Sequence, residues 1–316
     1  MVNNTKEKKY LSIVVPIFNE AENVKELHSR IFEVCQNLKK PFEIIFVNDG
    51  STDNTLEEMS KLVPLTIVNF RKNFGQTAAL DAGIKQSFSE RIITMDGDLQ
   101  NDPADIPRLL GHMSNGYDVV SGWRFDRKDK KMKRFVSRGA NFLRKYIVND
   151  GVNDSGCTLK AYKSECFDNL DLFGEMHRFI PALLRWKGFK IGELKVKHHP
   201  RTKGLTKYGW QRTVKGFADM LGIWFWHKYS NRPLHLFGTL GLVLVFIGSA
   251  TMTLLFALRL FGFISLTGKI WPLISVFSIL MGIQLFVTGL LADIAVKSYY
   301  KQANHQPYNI KDIRHQ

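Results

Sequence analysis

The chain has 316 residues, with 44 Lys and Arg against 29 Asp and Glu, a formal net charge of +15. Its 45% hydrophobic and 23% charged content excludes a disordered chain, which lacks the apolar mass to form a core. The length is too great for one small domain and suits a domain of about 200 residues with an addition.

Taken in chain order, short apolar runs alternate with helical patterns. The predicted elements are a strand at Leu11–Ile17, a helix at Glu20–Leu38, a strand at Phe42–Val47 and a helix at Thr52–Leu62. A strand at Thr66–Phe70, a helix at Gly75–Phe88, a strand at Arg91–Met95, a helix at Pro103–Asn115 and a strand at Tyr117–Ser121 follow. This alternation predicts an α/β domain with a mostly parallel sheet covered by helices. Ligands of such sheets bind beyond the carboxyl ends of the strands.

Polar residues gather at those ends: Pro16 to Glu20 after the first strand, Asn48 to Ser51 after the second, Asp96 to Gln100 after the fourth. No G-x-G-x-x-G follows the first strand and no G-x-x-x-x-G-K-[ST] occurs, so neither a dinucleotide fold nor a P-loop is supported. Asp96 and Asp98 flank Gly97, a spacing that lets both carboxylates reach one hard divalent ion, Mg2+ or Mn2+. Such an ion would neutralise a nucleoside diphosphate leaving group. Asp49 has two readings: a cap for the helix near Thr52, where Asp53 competes, or an acceptor for a donor on a nucleotide base.

Beyond Asn231 come two uncharged runs, Leu236–Leu258 and Ile270–Ala292, of 23 residues each. As helices they would be about 34 Å long, enough to cross a hydrocarbon core of about 30 Å. The short link between them predicts a hairpin. Basic residues before the first run and Lys297 and Lys301 after the second place both termini in the cytosol. Trp210, Val214, Phe217, Leu221, Trp224 and Phe225 recur at helical spacing, predicting an amphipathic helix at the interface. The expected organisation is therefore a catalytic domain over 1–207, juxtamembrane helices over 208–232, two transmembrane helices within 233–296 and a cytosolic tail over 297–316. Cys35, Cys157 and Cys166 lack a C-x-x-C spacing and suggest neither a disulfide framework nor zinc. No nucleic-acid-binding motif accompanies the basic charge, which fits lipid head groups or a phosphate-bearing substrate better.

Val14 to Glu20, Val47 to Asp53 and Asp96 to Asn101 together resemble glycosyltransferase family 2, in particular its polyprenyl-phosphate hexosyltransferases, the group of dolichyl-phosphate mannose synthase and the bactoprenol glucosyltransferases. The likeness extends to Asp154 to Cys157, to Arg201-x-x-Gly204-x-Thr206-Lys207-Tyr208 and to the two terminal helices. It implies a GT-A nucleotide-sugar-binding fold. It also implies inverting, metal-dependent transfer of one hexose-type sugar from a UDP- or GDP-linked donor to a polyprenyl phosphate such as undecaprenyl phosphate. By the same resemblance, nucleotide contacts fall on Pro16, Phe18, Glu20, Val47 and Asp49, and metal and diphosphate contacts on Asp96, Gly97, Asp98 and Gln100. Phe18 stands where many members carry Tyr. Gly97 replaces the commoner Ala, a change expected to leave the turn intact.

An acceptor phosphate is already ionised at neutral pH, so the site needs cations more than a strong base. Arg124 and Arg138 are assigned to the acceptor phosphate, Arg201 and Lys207 to the donor diphosphate, and Asp154 to the neighbourhood of the reacting carbon. Asp154 also reads as a turn residue before Gly156. His177 and Arg178 lie in a segment expected to form a helix on the acceptor side. Family members form homo-oligomers, and nothing in these residues fixes a number. A processive polysaccharide synthase is the nearest rival, but Ala182 stands at the glutamine position of its Gln-x-x-Arg-Trp signature, ahead of Arg185 and Trp186. A membrane-anchored binding protein with a decayed site would lack some of the charged residues named, and none is missing.

Overall fold

Strand β1 (Lys9–Ile17) is apolar almost throughout because both its faces are buried. Leu11, Ile13, Val15 and Ile17 enter one core and Val14 the other. The computed structural model describes residues 8–124, 151–168, 170, 172, 174–200, 225, 228–229, 232–266 and 268–302. The chain divides into two units, Met1–Ile223 and Trp224–Gln316.

In the first unit β1 is followed by α1 (Val24–Asn37), β2 (Phe42–Asn48), α2 (Thr55–Ser60), β3 (Thr66–Asn69), α3 (Gln76–Gln86) and β4 (Ser89–Thr94). A 3-10 turn at Pro103–Asp105 leads into α4 (Ile106–Met113) and β5 (Val119–Trp123). Then come β6 (Lys160–Lys163), α5 (Ile180–Trp186) and β7 (Ile191–Lys195). The strands form a seven-stranded sheet in the order β3-β2-β1-β4-β6-β5-β7. β1 runs parallel to β2 and β4, β2 to β3, and β5 to β7. β6 runs antiparallel to both its neighbours, β4 and β5. The chain leaves β1 for β2 on one side and later places β4 on the other. The strand order therefore reverses between β1 and β4, where open α/β sheets form their ligand crevice.

Residues of α1 and α4 pack on one face of the sheet and those of α3 and α5 on the other. The α3 layer is close. A Cβ at Gly83 would lie 2.4 Å from Val14 Cγ1 and 2.9 Å from Val47 Cγ2. Gly83→Val should therefore overpack this layer and cost about 1–3 kcal/mol, read as an earlier thermal transition in detergent. An unchanged transition would contradict the packing.

The predicted elements up to Ser121 all form, with ends moved by a few residues. The second helix begins at Thr55 rather than Thr52, because Asp53 Oδ1 accepts from the Thr55 backbone N–H at 3.0 Å. The segment around His177 forms a 3-10 turn at Met176–Arg178, and α5 begins only at Ile180.

The second unit contains α6 (Pro233–Leu260) and α7 (Trp271–Gln302), both long and apolar enough to cross a membrane. They pack as a hairpin through glycines. A Cβ at Gly241 would sit 2.5 Å from the Gly282 carbonyl oxygen, and one at Gly248 2.8 Å from that of Ser275. Large side chains such as Phe246, Phe256, Leu273 and Phe277 are exposed, an apolar surface that suits contact with lipid. α7 continues ten residues past the predicted end at Ala292, carrying Asp293 and Lys297 on the same helix. The predicted interfacial helix lies almost wholly outside the described residues, as do Arg138, Arg201 and Lys207.

Candidate active site

The loops after β1 and β2 are laced together at the mouth of the crevice. Asn19 N donates to Ser51 Oγ at 2.9 Å, Thr52 N to Asn19 Oδ1 at 2.8 Å, and Glu20 N to Thr55 Oγ1 at 2.9 Å. Phe18 lines a cavity of about 430 Å³ with Asn48, Gly50, Ser51, Thr52, Leu56, Asn69, Phe70, Arg71, Lys72 and Asn73. Gly50 has φ +67°, and a Cβ there would lie 2.3 Å from the Lys72 carbonyl carbon, so only glycine lets the two loops meet. Pro16 is half-buried beside this mouth, and Glu20 accepts from Asn23 Nδ2. The Val47 side chain is in the core beneath α3, and its backbone lies in the sheet between β1 and β3.

Asp49 is buried and takes a part that neither sequence reading included. Its carboxylate accepts from Asn73 Nδ2 at 3.0 Å, Phe74 N at 2.7 Å and Gly75 N at 3.0 Å. It thus anchors the loop that enters α3, while Asp53 serves α2. Burial raises its pKa, against the opposing effect of the Phe74 and Gly75 N–H groups.

That anchored loop leads straight to Gln76, the first residue of α3. Gln76 Nε2 donates to Asp96 Oδ1 at 2.7 Å. Asp96 and Asp98 occupy the turn after β4, and Asp98 Oδ1 accepts from Gln100 N at 3.2 Å. Leu99 takes a positive φ of 61° in this turn. A Cβ at Gly97 would come within 2.5 Å of Ile17 Cδ1, so an alanine here requires Ile17 to rotate. Desolvation, and secondly the Asp98 charge, push the Asp96 pKa up to about 6; Thr158, Arg124 and Lys160 pull the other way. The two oxygen-rich side chains suit a hard divalent ion, with water and phosphate oxygens completing its shell. Among the described residues no third His, Cys, Asp or Glu joins them.

Facing this turn electrostatically is a second group at the ends of β5 and β6. Arg124 grips Asp154 in a bidentate pair, Nε to Oδ2 at 2.7 Å and Nη2 to Oδ1 at 2.9 Å. Their side chains are only 13% and 14% exposed. The Asp154 carboxylate raises the Arg124 pKa against the opposing effect of burial. A Cβ at Gly156 would lie 3.1 Å from Arg124 Nη2, so this glycine gives the guanidinium its room.

Lys160, absent from the sequence reading, lies 2% exposed on β6 between Thr94 and Ser121. Its Nζ donates to the Ser155 carbonyl at 3.2 Å. Burial depresses its pKa to about 8, with Cys157, Asp154 and Asp96 opposing that shift. His177, whose segment was expected to shape the acceptor side, bonds through Nδ1 to Thr77 Oγ1 on α3 at 2.7 Å. Asp96, Asp98, Arg124, Asp154 and Lys160 thus form one coupled set of charges, and Asp49 reaches it only through the loop to Gln76.

Comparison with known proteins places this arrangement. Residues 12–171 match the model of glycosyl transferase family 2. The dodecaprenyl-phosphate galacturonate synthase of Rhizobium johnstonii is 38% identical over 98% of this chain and 95% of its own. The undecaprenyl-phosphate 4-deoxy-4-formamido-L-arabinose transferase of Proteus mirabilis is 31% identical over 96% of this chain and 93% of its own. In fold, the glucosyl-3-phosphoglycerate synthase of Mycobacterium tuberculosis, solved with Mn2+, UDP and phosphoglyceric acid, superposes with a TM-score of 0.55. That match is 16% identical and covers 69% of this chain and 78% of the other. The chain is a glycosyltransferase belonging to family 2, with a GT-A-like domain and relatives among the polyprenyl-phosphate sugar transferases.

Proposed function

We propose that this enzyme transfers a single hexose-type sugar from a UDP- or GDP-linked donor to a polyprenyl phosphate such as undecaprenyl phosphate, with inversion at the anomeric carbon. The observation that carries this reading is the pairing of an acidic turn, Asp96 and Asp98, with the Arg124–Asp154–Lys160 group at one crevice. An acidic turn suits the metal-bound diphosphate of a donor; a pre-oriented guanidinium suits an anionic acceptor. The cytoplasmic membrane is the site of action in this reading, with the catalytic domain and both termini in the cytosol.

The donor nucleoside sits in the cavity lined by Phe18 and Asn48, bounded by the loop that Asp49 anchors. Asp96, Asp98 and the adjacent Gln100 would hold the Mg2+ or Mn2+, which would supply charge neutralisation for the departing nucleoside diphosphate. Arg201 and Lys207 assist on the diphosphate, and Arg138 joins Arg124 on the acceptor. Arg124 orients the lipid phosphate, whose ionised oxygen attacks the anomeric carbon as the bond to the nucleoside diphosphate breaks. Asp154 holds the guanidinium in the plane that a bidentate phosphate contact needs, and Lys160 adds positive charge behind it. A direct attack of this kind inverts the configuration and needs no general base.

Metal binding should depend on pH through Asp96. A carboxyl whose folded pKa is raised to about 6 favours the metal-free fold below about 3.8, and that advantage is lost as pH rises through about 6. Cation binding needs the ionised form. Mn2+ affinity, followed by electron paramagnetic resonance without nucleotide, should rise through about pH 6 and then level. A profile flat from pH 5 to 7 would contradict this.

The reading is tested by offering purified protein undecaprenyl phosphate, Mn2+ and a panel of labelled UDP- and GDP-sugars. One donor should place its sugar in the lipid, with the anomeric configuration inverted in the isolated product by NMR. Retention would overturn the direct-attack chemistry, and no lipid product from any donor would overturn the reading.

A further inference from the structure

The loop that carries Asp154 is fastened by a carboxylate from another strand. Glu193 stands on β7 opposite Ser121 of β5, and β5 ends at Trp123, one residue before Arg124. Its Oε1 accepts from Asn153 N at 2.7 Å and Asp154 N at 3.1 Å, and its Oε2 from Asn153 Nδ2 at 2.6 Å. Three N–H donors therefore converge on one side chain, in charge-assisted bonds stronger than neutral ones. From the other side Lys160 draws in the Ser155 carbonyl.

We infer that Glu193 is a positioning residue. It fixes the Asn153–Asp154 backbone, Asp154 fixes the Arg124 guanidinium, and Arg124 meets the acceptor phosphate. The last link rests on the proposed function; the first two rest on the hydrogen bonds alone. The chain of contacts is short and directional. β7 and β5 are neighbouring parallel strands, so Glu193 is placed by the sheet while the loop it holds is not part of the sheet. Without the carboxylate two backbone N–H groups lose an acceptor, and the loop resettles around water. A shift of about 1 Å at a positioned group is enough to cost roughly a hundredfold in rate.

The test compares E193A, E193Q, D154N and E193A/D154N in the full-length detergent-solubilised protein. E193A is expected to lower kcat/KM for undecaprenyl phosphate about a hundredfold, with a raised lipid KM and unchanged binding of UDP with Mn2+. E193Q keeps an oxygen for both backbone donors and should recover to within about tenfold of wild type. The double variant should be no worse than D154N, because both act through the same guanidinium.

An activity-independent readout is phenylglyoxal modification of Arg124, mapped by peptide mass spectrometry. In E193A Arg124 should react several-fold faster than in wild type, and in E193Q at nearly the wild-type rate. Faster modification with unaltered lipid transfer would support the positioning role and overturn the acceptor assignment of Arg124. Unaltered Arg124 reactivity in a folded E193A, or full additivity with D154N, would overturn the inference. Should E193A not fold, a folded D154N in which Arg124 reacts no faster than in wild type would overturn it as well.

Discussion

Asp98→Asn should lower sugar transfer by roughly 10²–10³-fold and abolish its response to Mg2+ or Mn2+, with folding and membrane attachment unaltered. Local geometry makes this a clean substitution. Among the described residues Asp98 Oδ1 accepts from Gln100 N, and an asparagine Oδ1 can accept that bond equally. The turn therefore survives while one negative charge disappears from the pair. Asp96 then loses the like charge that, after desolvation, does most to raise its pKa, so its carboxyl ionises more readily. A single remaining carboxylate holds a hard divalent ion weakly. Full activity of this variant in chelator would remove the metal from the account.

Arg124→Lys should be nearly as damaging as Arg124→Ala, raising the lipid-phosphate KM and lowering kcat together by about 10²-fold. A lysine keeps the charge but cannot reproduce the two parallel bonds to Asp154 at 2.7 and 2.9 Å, nor a forked contact to phosphate. Arg124→Ala also removes the bidentate partner of the largely buried Asp154 carboxylate, and breaking such a pair costs about 3–5 kcal/mol. Its melting temperature should therefore fall further than that of the lysine variant. Nucleotide affinity, measured with UDP and Mn2+, should stay at the wild-type level in both. An equal loss of nucleotide affinity would move Arg124 to the donor side.

Much of the fold was legible because both faces of the sheet are covered. Strands such as Phe42–Asn48 then read as continuous apolar runs, and amphipathic helices mark the crossovers between them. β6 and β7 were not legible. β6 is four residues long, too short to show a period, and it pairs with β4 about 70 residues earlier in the chain. Missing β6 meant missing Lys160, a lysine whose importance lies in its burial rather than in any motif. Glu193 and Gln76 escaped for a related reason: their partners are a loop backbone and a carboxylate distant in sequence. Asp49 shows the same limit from the other direction. Its residue type announced a role at a strand end, but the N–H groups of Phe74 and Gly75 that it serves carry no side-chain signature. The acidic turn was read as polar residues at a strand end, and it follows β4 directly; Arg124, read only as a cation for an anionic partner, follows the end of β5.

The measurement that bears most directly on the account offers labelled donor to undecaprenyl phosphate and to undecaprenol in matched micelles with Mn2+. In the proposed reaction the Arg124–Asp154 pair serves an anionic acceptor, and no general base activates an alcohol. Label should therefore enter the phosphate lipid alone. Equal transfer to the alcohol, or transfer to the alcohol only, would contradict the central claim that this site joins a sugar to a lipid phosphate.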